Sequence, residues 1–255
     1  MDKLCGCGFD IGLASHVQQL LLPKVSPACG WCCIGTRNLM AQGLGGDYFD
    51  FAVLPDGCQA VFIGDVTGHG LHASVVMSLL YGYIHHTFRD PCTPLEVVRR
   101  ANDFLQTFAV RSREFDHFFS STLFCAMIDP ASLEMHYVNA GHPEPVVRRQ
   151  AEVVTLPPTA PPIGFFDDPE ISMGRLRFNP GDRLLLYTDG LSNGFNKAGA
   201  VFGVERLKEG LRRSRGDHLQ YLQELFEELK EFGADEPPDD DCTAIAIDFK
   251  GLSSR

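Results

Sequence analysis

Four aspartates stand where apolar runs meet glycine-rich or polar turns: Asp47 in GGDYFD, Asp65 in IGDVTGHG, Asp189 in YTDG and Asp240 in DDDCT. A carboxylate at the end of a run such as QAVFIGD or RLLLYTD has an apolar body beneath it, and its charge is costly unless water, donors or a cation meet it. Several such carboxylates converging on one place would repel, and a divalent cation relieves that repulsion. Hard oxygen donors favour Mg²⁺ or Mn²⁺ over zinc. Taken singly, each motif has a plainer reading. Asp-Gly is a turn dipeptide, DDDCT is a solvated acidic loop, and GDVTGHG is a strand-to-helix turn with Thr67 as a cap. The occurrence of all four in one chain is what points to a shared site.

The other reactive side chains narrow the chemistry. His69 sits between two glycines beside Asp65, placed either to orient water and protonate a leaving oxygen or to hydrogen-bond its own loop. His142, in the turn NAGHPEP, reads as scaffolding, and His85 and His86 close a helix, where a positive-leaning side chain is favoured. Of nine cysteines, Cys58, Cys92, Cys125 and Cys242 lie among apolar neighbours and read as buried thiols. Cys5, Cys7, Cys29, Cys32 and Cys33 crowd the first 33 residues and offer thiolates to zinc or an iron–sulfur cluster. Their spacing matches no standard finger or ribbon, so incidental thiols are the preferred reading. No C-x₅-R loop is present: Cys7, Cys92 and Cys125 lack an Arg six residues on.

These residues need elements to hold them. ASHVQQLLL (14–22) predicts a short helix stopped by Pro23. YFDFAVL and QAVFIGD predict two strands joined by the turn PDGC. LHASVVMSLLYGYIHHTF (71–88) reads as a buried helix, and PLEVVRRANDFLQTFAV as a second helix with Leu95, Val98, Ala101, Leu105 and Phe108 on one face. SSTLFCAMI, LEMHYVN, PEPVVRR, AEVVTL, MGRLRF and DRLLLYTD predict short strands. DHLQYLQELFEELKEF predicts an amphipathic helix using Leu219, Leu222, Phe226, Leu229 and Phe232, and CTAIAIDF a closing buried strand. Hairpin-length connections imply mostly antiparallel pairing in an α+β chain with sheets as the inner layers.

Composition sets the outer limits. The 255 residues are 44% hydrophobic, and 22 basic against 33 acidic residues give a net charge of −11. That apolar share fills a real core and excludes a disordered chain. The acidic balance argues against a nucleic-acid backbone binder. No apolar run reaches the 18 or more residues of a membrane span, and no signal-peptide pattern opens the chain, so the expected compartment is the cytoplasm.

The ordered series GGDYFD, IGDVTGHG, NAGHPEP, PPIGFF, PGDRLLLYTDG and DDDCTAIAI resembles the metal-dependent protein phosphatase family. Within it the likeness is to the bacterial branch named for sporulation protein E, which includes phosphatases regulating sigma factors. It runs from about residue 14 to about 249. The resemblance implies an αββα sandwich of two antiparallel sheets with a binuclear Mn²⁺ or Mg²⁺ site at one edge. Residues 1–35 would form a lead-in with the short helix and the cysteines, and 36–250 the phosphatase domain. Carried over motif by motif, the metal ligands would be Asp47, Asp65, the Val66 carbonyl, Asp189 and Asp240. Asp240 is chosen over its neighbours because it sits three before Thr243. Asp47, Asp65 and His69 would serve the catalytic step, with Asp50 a weaker candidate. Two features depart from the pattern or fall outside it. Asn193 replaces a carboxylate common in the branch, and Arg37 lies in no dependable register, so it is left out of the catalytic set.

The resemblance implies hydrolysis of phosphoserine or phosphothreonine on a regulatory protein of the anti-anti-sigma type by metal-activated water. The alternatives are a non-catalytic phosphoprotein-binding module of the same fold and a hydrolase of small phosphoesters. Expected partners are the phosphorylated regulatory protein and an activating partner or second copy, with no nucleic acid and no membrane. The two helices after Asp65 are expected to couple such a partner to metal occupancy.

Overall fold

The computed structural model describes residues 6–41, 43–112, 119–233 and 238–251. Helix α1 (Gly6–Leu21) leads into strand β1 (Cys32–Leu39), followed by the hairpin β2 (Asp47–Val53) and β3 (Gln59–Val66). Helices α2 (Gly70–Thr87) and α3 (Pro94–Ser112) come next, then β4 (Ser121–Asp129), β5 (Glu134–Ala140), β6 (Val146–Arg149), β7 (Glu152–Thr155), β8 (Gly174–Arg177) and β9 (Arg183–Tyr187). The chain closes with α4 (Asp189–Asn193), α5 (Val204–Arg213), α6 (His218–Phe232) and β10 (Cys242–Phe249).

Two antiparallel five-stranded sheets result, ordered β1-β10-β9-β6-β7 and β2-β3-β4-β5-β8. Period-two alternation sorts their side chains into layers. Phe49, Ile63, Phe124 and Met135 from one sheet meet Ile34, Leu184, Leu186, Ile245 and Ile247 from the other, forming the core between the sheets. On the outer face of the second sheet, Tyr48, Phe62 and Cys125 pack under Met77, Leu80 and Ile84 of α2 and Val97 and Leu105 of α3. On the outer face of the first, Ala244 and Ala246 leave room for Leu222, Phe226 and Leu229 of α6. The order of layers is therefore helices, sheet, sheet, helices.

Three elements escape the sequence reading: β1, hidden behind its cysteines, and the helices α4 and α5. Helix α1 begins earlier than expected, and α2 is buried on one face only, with Leu71, Val75 and Leu79 exposed. On α6 Leu219 is exposed, and Tyr221 and Leu225 take the buried positions beside Leu222, Phe226 and Leu229. Asp217 caps that helix, accepting from the Leu219 and Gln220 N–H groups, and Gly233 ends it in a left-handed conformation.

The cysteines divide by strand alternation. Cys29 and Cys32 pack into the core between the sheets, and Cys125 and Cys242 are buried. Cys5 lies outside the described residues, as does the side chain of Cys7. Among the described residues no helix is long and apolar enough to cross a membrane.

Candidate active site

The four acidic motifs meet at one end of the sandwich. Antiparallel pairing of β2 with β3 sets Asp47 directly opposite Asp65. Asp47 shares the inward face of β2 with Phe49, so its carboxylate enters the space between the sheets and is 1% exposed. Two hydroxyls from the other sheet meet it there: Thr188 donates to Asp47 Oδ2 at 2.8 Å, and Thr243 donates to the same oxygen. Each hydroxyl oxygen already accepts an N–H, Thr188 from the Thr243 backbone (2.9 Å) and Thr243 from the Asn38 amide (2.7 Å). Both protons are thereby directed at Asp47. Burial nevertheless holds its pKa well above the usual range, the Asp65 charge adding to the effect.

Asp65 is half-buried at the end of β3. Burial and the charges of Asp189, Asp240 and Asp241 push its pKa up to about 8. Asp189 opens α4, where its carboxylate accepts backbone N–H groups of the first turn and the Asn193 amide at 3.1 Å. Burial and Asp240 still raise its pKa. Asn193 thus places a neutral donor on a ligand candidate. Asp240 is exposed at the mouth of the group, and Val66 follows Asp65 on the same strand end.

The two glycines before Asp47 have a steric reason. A Cβ on Gly46 would lie 2.6 Å from Asp65 Oδ1 and 2.7 Å from the Val66 carbonyl oxygen. A Cβ on Gly45 would lie 1.7 Å from Asp241 Oδ2. The missing side chains leave a cradle in which the Asp65 carboxylate and Val66 carbonyl stand side by side.

Other candidates are placed elsewhere. His69 is exposed at the N-cap of α2, with no side-chain cap hydrogen bond. Asp50 points to the opposite face of β2, where Tyr81 donates to it and His85 Nε2 lies 2.7 Å away, so it is engaged with α2 rather than with the acid group. Arg37 stacks on Phe226 of α6, 4.6 Å from the ring centre. Asp241 turns inward and accepts the Gly46 and Ala41 N–H groups, both at 2.9 Å.

A cavity of about 300 Å³ opens between Asp65 and Asp189, lined also by Thr122, His142 and Glu144. Glu144, Thr188 and Thr243 are site neighbours that the sequence reading did not assign; Thr188 directly precedes Asp189 and was open to inference. Beside the cavity, Leu39, Phe195, Phe226, Leu229 and Cys242 line a largely apolar hollow of about 340 Å³ that reaches Asp240.

A metal fits this donor set on chemical grounds: oxygen ligands, and half-buried Asp65 and Asp189 whose pKa values are raised by burial and by neighbouring carboxylates. Among the described residues no three His, Cys, Asp or Glu side chains are drawn together into a ready-made coordination group.

Comparisons with known proteins place the chain. It is 28% identical to Protein IcfG of Synechocystis over 91% of its own length and 40% of that protein's. It is 27% identical to the phosphoserine phosphatase RsbP of Bacillus subtilis over 81% of its length and 50% of the relative's. The chain therefore spans about half the length, or less, of these curated relatives. Among solved structures it resembles the SiaA-PP2C domain of Pseudomonas aeruginosa with a TM-score of 0.79 at 21% identity, over 96% and 97% of the two chains. It also resembles the PP2C phosphatase domain with a regulatory fragment of SpoIIE from Bacillus subtilis, with a TM-score of 0.74 at 18% identity, over 88% of this chain and 64% of that one. Since the model of the family described as Stage II sporulation protein E matches residues 55–250, from the β2–β3 turn through the last strand, the chain belongs to the SpoIIE family.

Proposed function

We propose that this chain is a Mn²⁺- or Mg²⁺-dependent phosphatase that hydrolyses phosphoserine or phosphothreonine on a regulatory protein. The observation that carries the reading is the convergence of separate motifs: Asp47 stands directly opposite Asp65, Asp65 and Asp189 line one cavity, and the Asp240 charge acts on both Asp65 and Asp189. Asp47, Asp65 and Asp189, raised by burial and by neighbouring carboxylates, are candidates for a functional site.

Asp47, Asp65, the Val66 carbonyl, Asp189 and Asp240 are the residues that would hold two divalent cations. When bound, such a pair would supply an activated water and offset negative charge on the phosphoryl group. Asp47, fixed by two hydroxyls, anchors the interior side, and Asn193 orients Asp189. His69, exposed on the loop that follows Asp65, is the group assigned to deliver a proton to the leaving serine oxygen. His142 does not share that task, because burial holds its pKa down to about 3 and keeps it neutral.

A protein substrate is favoured over a small phosphoester by the apolar hollow beside Asp240, which offers contact area to a polypeptide. The likeness to RsbP, a phosphoserine phosphatase, supports the same class, and a phosphorylated regulator of the anti-anti-sigma type is the substrate proposed. The test is Mn²⁺-dependent phosphate release from a phosphoserine protein and from p-nitrophenyl phosphate, with Asp65→Asn as control. Release that needs the metal and collapses in the variant supports the enzyme. Binding of the phosphoprotein without release would leave a sequestering module instead, and faster turnover of the small ester would move the substrate class.

A further inference from the structure

The NAGHPEP turn has no role in the reaction as described, yet its histidine is built into the site. His142 is 2% exposed. Its Nδ1 lies 3.0 Å from the Thr122 hydroxyl. Thr122 faces Asp65 across the β3–β4 register, and its hydroxyl oxygen already accepts the Asp65 backbone N–H at 3.2 Å. A Thr122 hydroxyl that donates to Nδ1 leaves the ring proton on Nε2. Nε2 is buried without a close hydrogen-bond partner among the described residues. His142 stands on the connection that crosses from β5 in one sheet to β6 in the other; β6 pairs with β9, the strand that leads to Asp189, and His142 lines the cavity between Asp65 and Asp189.

The ring has little freedom to swing. The His142 N–H donates to Asn139 Oδ1 at 2.9 Å, and the Asn139 amide donates to the Leu156 carbonyl at 3.3 Å. Gly141 has a φ of +66°, and a Cβ there would lie 2.4 Å from Pro162. Only glycine fits that combination of conformation and contact.

Asp65 lies at the end of a strand of one sheet and Asp189 just after a strand of the other, and among the described residues no ladder of hydrogen bonds joins those sheets. Their spacing depends on packing and on whatever polar groups cross the gap at this end. Asp47 with Thr188 and Thr243 is one such crossing. We propose that His142 is another: a positioning residue that, through Thr122 on one side and through its turn into β6, the neighbour of β9, on the other, sets the separation of Asp65 and Asp189. The proposal rests on the metal-dependent reading above, since it assigns His142 a task in ligand geometry rather than in proton transfer.

The test is Mn²⁺ affinity by titration calorimetry on the whole chain, with thermal unfolding of the chelated protein alongside. His142→Phe keeps a ring but removes the Nδ1 acceptor; Thr122→Val removes the hydroxyl, and Thr122→Ser restores it. Outer-shell partners of metal ligands are worth roughly 10- to 100-fold in affinity, so His142→Phe and Thr122→Val should each weaken Mn²⁺ binding by about that factor. Thr122→Ser should stay close to wild type. The double variant should bind no more weakly than the weaker single one, because both substitutions cut the same link. If both single variants bind Mn²⁺ as wild type does, whatever their unfolding temperatures, His142 only packs its turn and the proposal is overturned. If wild type itself binds neither Mn²⁺ nor Mg²⁺, the metal reading fails first, which is a different result.

Discussion

Asp240 and Asp241 are consecutive and do opposite work. Asp240 accepts the Asp241 backbone N–H on its own Oδ1 at 2.9 Å and leaves the rest of its carboxylate exposed at the mouth of the acid group. Asp241 is buried, and its two oxygens hold the N–H groups of Ala41 and Gly46, tying the loop before β2 to the start of β10. One residue of register separates a ligand candidate from a structural acid. The same division runs through β2, where Asp47 faces the other sheet and Asp50 faces α2.

That division predicts separable phenotypes. Asp240→Asn should cut Mn²⁺-dependent phosphate release by about 100-fold or more, as loss of a metal ligand does, without lowering the stability of the chelated protein. Asp241→Ala leaves two buried N–H groups without an acceptor, which costs about 1–3 kcal/mol, and should appear as a lower urea midpoint. Parallel unfolding and phosphate-release measurements check both. A stable but inactive Asp241→Ala beside an active Asp240→Asn would reverse the assignment.

Thr188 and Thr243 are predicted to act through Asp47. Replacing either with Val removes one of the two hydroxyls on a carboxylate buried between the sheets. Each change should destabilise the chelated protein by about 1–3 kcal/mol, the range for a buried polar group losing its partner. Because both hydroxyls serve one oxygen, the double variant should depart from additivity. Additive losses in the four-variant unfolding cycle would show that each Thr acts on its own surroundings.

Much of this was legible in the sequence, for physical reasons. Strands such as QAVFIGDV and CTAIAIDF are short, β-branched and bounded by turns, so type and extent follow from local pattern. The ends of apolar runs marked Asp47, Asp65 and Asp189. What stayed hidden depends on three-dimensional partners. Strand β1, CCIGTRNL, is a strand because β10 pairs along its whole length, and its cysteines suggested other chemistry. The short α4 carries no periodicity to detect. The hydroxyls on Asp47 come from 141 and 196 residues away, a distance no local pattern spans. Asp50, a weaker candidate from the family resemblance, stands three residues after Asp47, and period two sends it to the other face.

The cradle beside Asp65 gives a third prediction. Gly46→Ala puts a methyl group 2.6 Å from Asp65 Oδ1 and 2.7 Å from the Val66 carbonyl oxygen, distances at which one of them has to move. Phosphate release and Mn²⁺ affinity should both fall by about 10-fold or more, since misplacement near 1 Å has large effects on rate. The fold should survive, because neither sheet ladder loses a bond. Normal Mn²⁺ affinity in this variant would remove Asp65 and the Val66 carbonyl from the ligand set.

The last prediction concerns pH. An aspartate in an unfolded chain titrates near about 3.9, whereas burial and neighbouring carboxylates push Asp65 in the folded chain up to about 8. Between those values the folded state holds a proton that the unfolded state has released. Stability from this group is therefore complete below about pH 4 and is lost as pH rises towards 8. Asp47, Asp189 and Asp241 are raised for the same first reason, burial, and act with the same sign. Asp129 and Asp217 are lowered by hydrogen bonds and act in the opposite sense, but both are solvent-screened surface groups. His142, held down to about 3 by burial, also acts in the opposite sense, up to the unfolded histidine value of about 6.5. With divalent cations chelated, the urea midpoint should therefore fall above that value, between about pH 7 and pH 8, and Asp65→Asn should flatten that fall. Cation binding needs the ionised carboxylate, so the stabilisation gained from added Mn²⁺ should grow across the same window. A chelated Asp65→Asn protein that keeps the wild-type slope would show that the titrating group lies elsewhere in the molecule.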